Sequence, residues 1–180
     1  MVEQPYERDG FSGCEMVGIH EAFKKGDADL VRSLLRNPPD FPNCPMPGGG
    51  SILEYAIYHA PLNFIGKLID LGMRVNYEDA AGFPCLIAAL STERDDRLDV
   101  LKLLLEHSAD VHQRGVNDYT PLHYAVARND ARAVELLLSY GADPNAKTNV
   151  DDYATPLQEA EIAGRGDSEA AQVLRKFAAK

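Results

Sequence analysis

The sequence predicts an all-α protein, a helical solenoid of five repeats in which each repeat is a pair of helices and short β-hairpin loops join the pairs. Three regularities support this prediction. An apolar reference residue recurs at steps of 34, 33, 36 and 35 residues. An alanine follows each reference residue by three positions, and a second apolar residue usually follows it by sixteen. Such a frame is typical of stacked repeats, which bury one another's apolar faces. The reference residues are Ile19, Leu53, Leu86, Leu122 and Leu157, and the alanines are Ala22, Ala56, Ala89, Ala125 and Ala160.

The first helix of each repeat is predicted from its capping residues. Thr120-Pro121 and Thr155-Pro156 place a hydroxyl before the helix and a proline in its first turn, where both are favoured. Ser51 and Pro84 each supply one half of this pattern in the second and third repeats. The small alanine after each reference residue lets neighbouring helices approach closely.

The second helix of each repeat is predicted from apolar residues spaced three and four apart, which lie on one face of a helix. The third repeat departs from the frame, because Leu86 is followed by Leu105 after nineteen residues instead of sixteen. Three extra residues therefore lie in Ser91–Arg97. Gly72 and Gly141 follow two of the second helices and suit the left-handed backbone that ends a helix.

These positions divide the chain into a short tail and one repeat domain. The tail is predicted over residues 1–11 and the domain over residues 12–180. The approximate repeats are 12–43, 44–76, 77–112, 113–145 and 146–180.

The fourth repeat carries the most specific motifs, Thr120-Pro121-Leu122-His123 and, later, Gly141-Ala142-Asp143. With five copies in register, the chain resembles the ankyrin repeat family over roughly residues 12–180. The resemblance implies a non-catalytic module that binds another protein through a concave face, lined by hairpin tips and first helices. It also implies that His20 and His123 hold the neighbouring hairpin by hydrogen bonds and are neither catalytic residues nor metal ligands.

The family's binding positions, carried over one by one, predict an aromatic strip across the middle repeats with charged and polar residues at its rim. Aromatic and arginine side chains are frequent binding hot spots. Two alternatives stay open: Phe83 and Tyr119 cover the hairpin of the adjacent repeat, or the insertion at Ser91–Arg97 takes part in binding. The predicted partner-binding residues are Tyr58, Phe83 and Tyr119 in the strip and His59, Glu93 and Arg128 at its rim.

The charge of the chain narrows the class of partner. Its 180 residues include 28 acidic and 18 basic ones, a formal charge of −10. No basic patch of the kind that nucleic acid requires is visible, and binding to an anionic membrane is equally disfavoured. A partner with a basic surface would be steered in, although an acidic balance also simply keeps a protein soluble. Without an apolar leader or a long apolar run, we expect a cytoplasmic protein that is monomeric when free.

No motif predicts catalytic chemistry, a cofactor or a metal. Glycine-rich phosphate loops and the common hydrolase and zinc motifs are missing from the sequence. His107 and His112 are five residues apart across a helix end, a poor metal pair. The three cysteines fall in different repeats, which disfavours a disulfide framework or zinc site. Arg165-Gly166-Asp167 matches an adhesion tripeptide in letters only and lies in a predicted turn.

The sequence leaves the biological role open among several interaction proteins. A small, acidic chain favours an inhibitor or an immunity-type protein that masks its partner. The alternative is a structural spacer or adaptor in a larger assembly, which would tolerate changes in the aromatic strip. An enzyme is the least favoured class, because it needs a clustered acid–base set in a cleft.

Overall fold

The computed structural model describes residues 10–76, 83–115, 118–149 and 153–178. Over these ranges it contains ten α-helices and no β-strand. The packing of the backbone divides the chain into two compact units, Met1–Gly82 and Phe83–Lys180. The helices of the first unit are α1 (Gly13–Lys25), α2 (Ala28–Leu34), α3 (Ile52–His59) and α4 (Leu62–Asp70). Those of the second are α5 (Cys85–Ser91), α6 (Arg97–Glu106), α7 (Pro121–Ala127), α8 (Ala131–Ser139), α9 (Pro156–Ile162) and α10 (Glu169–Ala178).

Each unit is built from helix pairs in two layers. In the first unit α1 packs on α2 and α3 on α4, while α1 also packs on α3 and α2 on α4. In the second unit α5, α7 and α9 form one layer, and α6, α8 and α10 form the other. The predicted helical fold is therefore confirmed, and within each unit the first helices of the repeats form one layer and the second helices the other.

The predicted repeat frame coincides with the core. All five alanines and four of the five reference residues are buried, and only Leu157 in the last pair is half-buried. Phe23 and Phe64 add an edge-to-face contact in the first unit, with ring centroids 5.7 Å apart. The frame succeeds because its spacing selects positions on the inner face of each first helix.

The helix ends follow the predicted chemistry. The hydroxyls of Ser51 and Thr155 accept hydrogen bonds from the backbone of Glu54 and Gln158, at 3.0 and 3.3 Å. Pro84 begins α5 without a side-chain cap. Gly72 and Gly141 adopt left-handed φ angles of 93° and 89° after α4 and α8, which end these helices.

Three of the predicted hairpin loops are closed at their base by a backbone hydrogen bond. Met46 N–H donates to Gly50 O at 3.0 Å, Gly115 N–H to Tyr119 O at 2.9 Å, and Thr148 N–H to Ala154 O at 3.1 Å. Within the described ranges, β-pairing amounts to one isolated bridge between Pro45 and Ser51. The hairpin predicted before α5 falls on residues 77–82, outside the described residues. Each closing carbonyl lies three residues before a reference residue, so the turns share one register.

Candidate protein-binding surface

The insertion in the third repeat forms an enlarged connection, Thr92–Asp96, between α5 and α6. Glu93 in this connection forms an ion pair with Arg128, the residue that ends α7. The hydrogen bond and charge of Arg128 hold the pKa of Glu93 below its ordinary value. The side chain of Glu93 is 81% exposed and that of Arg128 33%. Two predicted rim residues are thus brought together at the surface.

A second ion pair anchors the same connection to the next helix pair. Arg97 at the start of α6 pairs with Asp130, and both side chains are largely buried. Asp130 also caps α8, accepting a hydrogen bond from Ala133 N–H at 3.1 Å. Arg94 pairs with Asp96 within the connection itself. The inserted residues are therefore tied to α7 and α8, which presents Glu93 and Arg128 in a defined geometry.

Tyr119 lies against the first turn of α7. Its ring stacks on His123, with centroids 5.2 Å apart and planes 21° apart, and meets Tyr124 edge-on at 5.8 Å. The side chain is half-buried, so one part packs within its own repeat and the rest faces solvent. Phe83, at the start of the second unit, is 36% exposed. The structure thus leaves both aromatic rings partly accessible.

His123 is a structural residue. Its Nε2 donates to the carbonyl of Ala154 in the next hairpin at 3.2 Å, as the resemblance implies. Its Nδ1 accepts from the hydroxyl of Thr120 at 2.8 Å and the backbone N–H of Thr120 at 3.3 Å. Burial lowers the pKa of His123, which keeps the ring neutral.

In the first unit, Tyr58 and His59 lie at the end of α3, and both are exposed. Their ring centroids are 6.2 Å apart. His59 also contacts Tyr55 at 4.5 Å and His20 of α1 at 4.9 Å. This four-residue cluster, His20, Tyr55, Tyr58 and His59, is called the α1–α3 cluster below. Burial and the neighbouring charge of His20 lower the pKa of His59.

The interpretation of His20 as a holder of the neighbouring hairpin is wrong. His20 Nδ1 lies 3.0 Å from the hydroxyl of Tyr55 in α3. His20 thus bonds a side chain of the next first helix, whereas His123 bonds a hairpin carbonyl, so the same position in two repeats makes different contacts. The predicted role of His20 rested on analogy with His123. It did not consider Tyr55, which lies two positions after the next reference residue.

The second unit also contains a network of hydrogen bonds between two hairpins that the sequence patterns do not predict. Arg114 donates to the carboxylate of Asp118 at 2.6 Å and to the carbonyl of Lys147 at 2.8 Å. Asp118 accepts in turn from Asn149 N–H at 2.5 Å. The network locks two successive hairpins together. Asp118 is the one member of this network that the sequence could have indicated, because it stands directly before the Tyr119-Thr120-Pro121 motif.

Other residues with chemical potential are engaged or dispersed. Arg165 of the adhesion-like tripeptide donates to the carbonyl of Ala127 at 2.6 Å, which commits it to the neighbouring helix pair. Cys14, Cys44 and Cys85 are all free, and burial raises the pKa of the Cys85 thiol to about 12. Among the described residues no group of three or more His, Cys, Asp or Glu side chains is placed to hold a metal. No helix in the same ranges is long and apolar enough to cross a membrane.

Stacked helix pairs, capped first helices and hydrogen-bonded hairpins together define a helical repeat protein. Proteins of this class use their extended stacked surfaces for binding. The family model for ankyrin repeats matches three times, over residues 19–115, 53–148 and 98–179. The chain therefore belongs to the ankyrin repeat family, whose repeats are protein–protein interaction modules.

Several relatives share this repeat region. A Rickettsia felis protein named for its ankyrin repeats is 43% identical over 134 residues, 69% of this chain and 51% of that protein. The Drosophila melanogaster transient receptor potential channel pyrexia is 31% identical over 143 residues, 77% of this chain and 14% of the channel. The Caenorhabditis elegans intracellular phospholipase A2 is 28% identical over 127 residues, 67% of this chain and 12% of the enzyme. The chain thus spans 12% to 51% of the length of these relatives.

Proposed function

We propose that this protein acts without catalysis, by binding and masking a basic surface of a partner protein, as a cytoplasmic monomer. The observation that carries the proposal is the exposed Arg128–Glu93 ion pair at the end of α7, with the half-buried ring of Tyr119 just before the start of the same helix. An arginine already fixed at the surface loses little conformational freedom on binding, which favours affinity. The formal charge of −10 supports a basic partner, because it attracts such a surface over long range.

Each compact unit contributes its own set of proposed binding residues. The set in the second unit comprises Phe83, Glu93, Tyr119 and Arg128. The set in the first unit comprises Tyr58 and His59, which the α1–α3 cluster holds at the end of α3. The two sets are tested by separate variants, so that each is judged by itself.

The test begins with affinity capture of the partner from a native lysate and its identification by mass spectrometry. Binding is then titrated by calorimetry for the wild type and for Tyr119→Ala, Phe83→Ala and Tyr58→Ala. If these rings are central anchors, we expect each change to weaken binding by about 2 kcal/mol or more. Association should also slow as salt rises, since exposed charges are screened beyond about 8–10 Å.

The matched control is Glu135→Ala, an exposed position on α8 outside the proposed sets. It should leave the affinity unchanged, and thermal melts should show that every variant remains folded. Unchanged affinity in both Tyr119→Ala and Phe83→Ala would move the site away from this part of the second unit. Tolerance of all three aromatic changes would favour the spacer alternative.

A further inference from the structure

The α1–α3 cluster places two histidine rings from neighbouring first helices side by side. The rings of His20 in α1 and His59 in α3 have their centroids 4.9 Å apart and their planes at 73°. His20 is half-buried and His59 is exposed, so the pair is accessible from solvent. The two residues lie in different repeats, which is why no short metal-binding motif in the sequence includes them both.

The separation of the two rings fits a pair of imidazoles bound to one metal ion. A Zn²⁺ ion lies about 2.0–2.1 Å from each histidine nitrogen that binds it. When two such nitrogens subtend an angle of about 90–110° at the ion, the ring centroids are about 4.5–5.2 Å apart. The observed 4.9 Å lies within this range, so α1 and α3 need not move for both rings to bind one ion.

Tyr55 holds the ring of His20 and leaves its second nitrogen for a ligand. Nδ1 of His20 lies 3.0 Å from the Tyr55 hydroxyl, and Nε2 has no hydrogen-bond partner among the described residues. Histidines that bind metals commonly use their other ring nitrogen in this way, which fixes the ring and raises the basicity of the ligand. His20 also lacks the hairpin contact that the family resemblance implies.

His59 is held in the neutral form that metal binding requires. Partial burial and the neighbouring His20 lower the pKa of His59, and only an unprotonated nitrogen can bind an ion. The rings of Tyr55 and Tyr58 contact His59, with centroids 4.5 and 6.2 Å away. Within the described ranges His59 forms no hydrogen bond, so its nitrogens remain available.

The donor set selects a transition-metal ion over Ca²⁺ or Mg²⁺. Neutral imidazole suits Zn²⁺, Ni²⁺ and Cu²⁺, whereas the harder cations take several oxygen ligands. In the part of the chain that the structure describes, no third His, Cys, Asp or Glu joins the pair, so water completes the coordination of a bound ion. The formal charge of −10 attracts cations to the chain as a whole.

We propose that His20 and His59 together bind a divalent transition-metal ion of the Zn²⁺ class, which bridges α1 and α3. The bound ion ties two successive first helices together and stabilises the first unit as the free metal concentration rises. Two protein ligands bind more weakly than the four of a structural zinc site, so the ion exchanges with the solution. The inference goes beyond the proposed function, because the free chain binds the ion without any partner protein.

The probe is Zn²⁺, titrated into the full chain by calorimetry, with NMR of the histidine side chains to identify the nitrogens that bind it. We expect shifts of ring nitrogens at His20 and His59 and none at the buried His123. His20→Ala and His59→Ala should each weaken binding about a hundredfold, the lower end of the gain from linking two sites. The two losses should not add in the double variant, because either change alone already removes the shared site. Mg²⁺ should not bind at the pair.

Tyr55→Phe keeps the aromatic ring and removes the hydroxyl that orients His20. It should weaken Zn²⁺ binding about 10–100-fold, the usual effect of losing such a supporting group. The matched controls are His107→Ala and Cys14→Ser, which remove another exposed histidine and the exposed thiol and should leave Zn²⁺ binding unchanged. Each variant is first checked for a helical spectrum and a cooperative melt without metal. Because His59 is exposed, His59→Ala tests the site even where a change at Tyr55 disturbs folding.

Three outcomes overturn the inference: no binding at sub-millimolar Zn²⁺, nitrogen shifts only at other histidines, or equal binding by the wild type and His59→Ala. None of them bears on the proposed function, which is judged on a captured partner and on Tyr119 and Phe83. Conversely, Zn²⁺ binding that depends on both His20 and His59 supports the inference even where both aromatic variants leave partner affinity unchanged.

Discussion

The buried ring of His123 can keep both of its nitrogens hydrogen-bonded only in the neutral form. Nε2 donates to Ala154 and Nδ1 accepts from Thr120, so the neutral ring satisfies both nitrogens. A proton on Nδ1 would point its N–H at the backbone N–H of Thr120 and would place a positive charge in the core. This penalty falls on the folded state, and it explains why the pKa of His123 is lowered.

This arrangement predicts a pH-dependent stability. Because the folded pKa lies below the unfolded value of about 6.5, the unfolded chain binds more protons as the pH falls through that value. Stability should therefore be full above about pH 7 and decline below pH 6.5. In urea melts, wild type should lose more free energy of unfolding between neutral and mildly acidic pH than His123→Gln. Glutamine offers one acceptor and one donor without a titratable proton, and Gln158 makes the equivalent acceptor contact with Thr155 N–H. Parallel pH profiles for the two proteins would contradict the assignment.

The fourth helix pair, α7 and α8, carries the second prediction. Leu122 and Leu137 are fully buried, and large-to-small changes at such positions typically cost about 2–5 kcal/mol. Urea unfolding of Leu122→Ala and Leu137→Ala should show losses of this size. His107→Ala, at the exposed end of α6, should have little effect. Equal losses in all three variants would mean that the helix faces are misplaced.

The sequence predicts the length of the insertion between α5 and α6, and it does not predict the contacts that the insertion makes. Its length follows from counting residues between Leu86 and Leu105, because helix spacing is a local property. Its ion pairs join Glu93 to Arg128 and Arg97 to Asp130, 35 and 33 residues apart. Such contacts depend on how successive pairs stack. Two of the five charged residues in Ser91–Arg97, Glu93 and Arg97, therefore anchor the insertion to the next helix pair.

At the scale of the whole chain, the repeat frame predicted the helices and their inner faces well, since five copies average out the ambiguity of each one. The candidate site was predicted less completely. The structure pairs Arg128 with Glu93, and this contact depends on how successive helix pairs stack, which single-residue patterns do not encode. The partner of His20 was missed because Tyr55 lies in another repeat.

The final pair is predicted to protect the rest of the second unit from water. Deleting Thr155–Lys180 removes α9 and α10, which pack on α7 and α8 and help to bury Val126 and Leu137. The truncated chain should aggregate, because the apolar faces of α7 and α8 that α9 and α10 cover would be exposed to water. Size-exclusion chromatography with light scattering measures this, with a chain that ends at Lys176 as the control. A monomeric, fully helical truncation would show that α9 and α10 are dispensable.

The residue after the reference position makes a different contact in each of two junctions of the second unit. Proteins made of similar repeats tend to assemble with the wrong neighbour, since each repeat offers nearly the same apolar face. Here an added Cβ at Gly115 would lie 2.7 Å from Cδ1 of Ile87, while the next hairpin has Thr148 in the corresponding place and meets His123 instead. Exchanging the two hairpins would press a branched side chain into Ile87. The two hairpins of the second unit therefore fit different side chains of the preceding helix pairs, and exchanging them would lose both contacts.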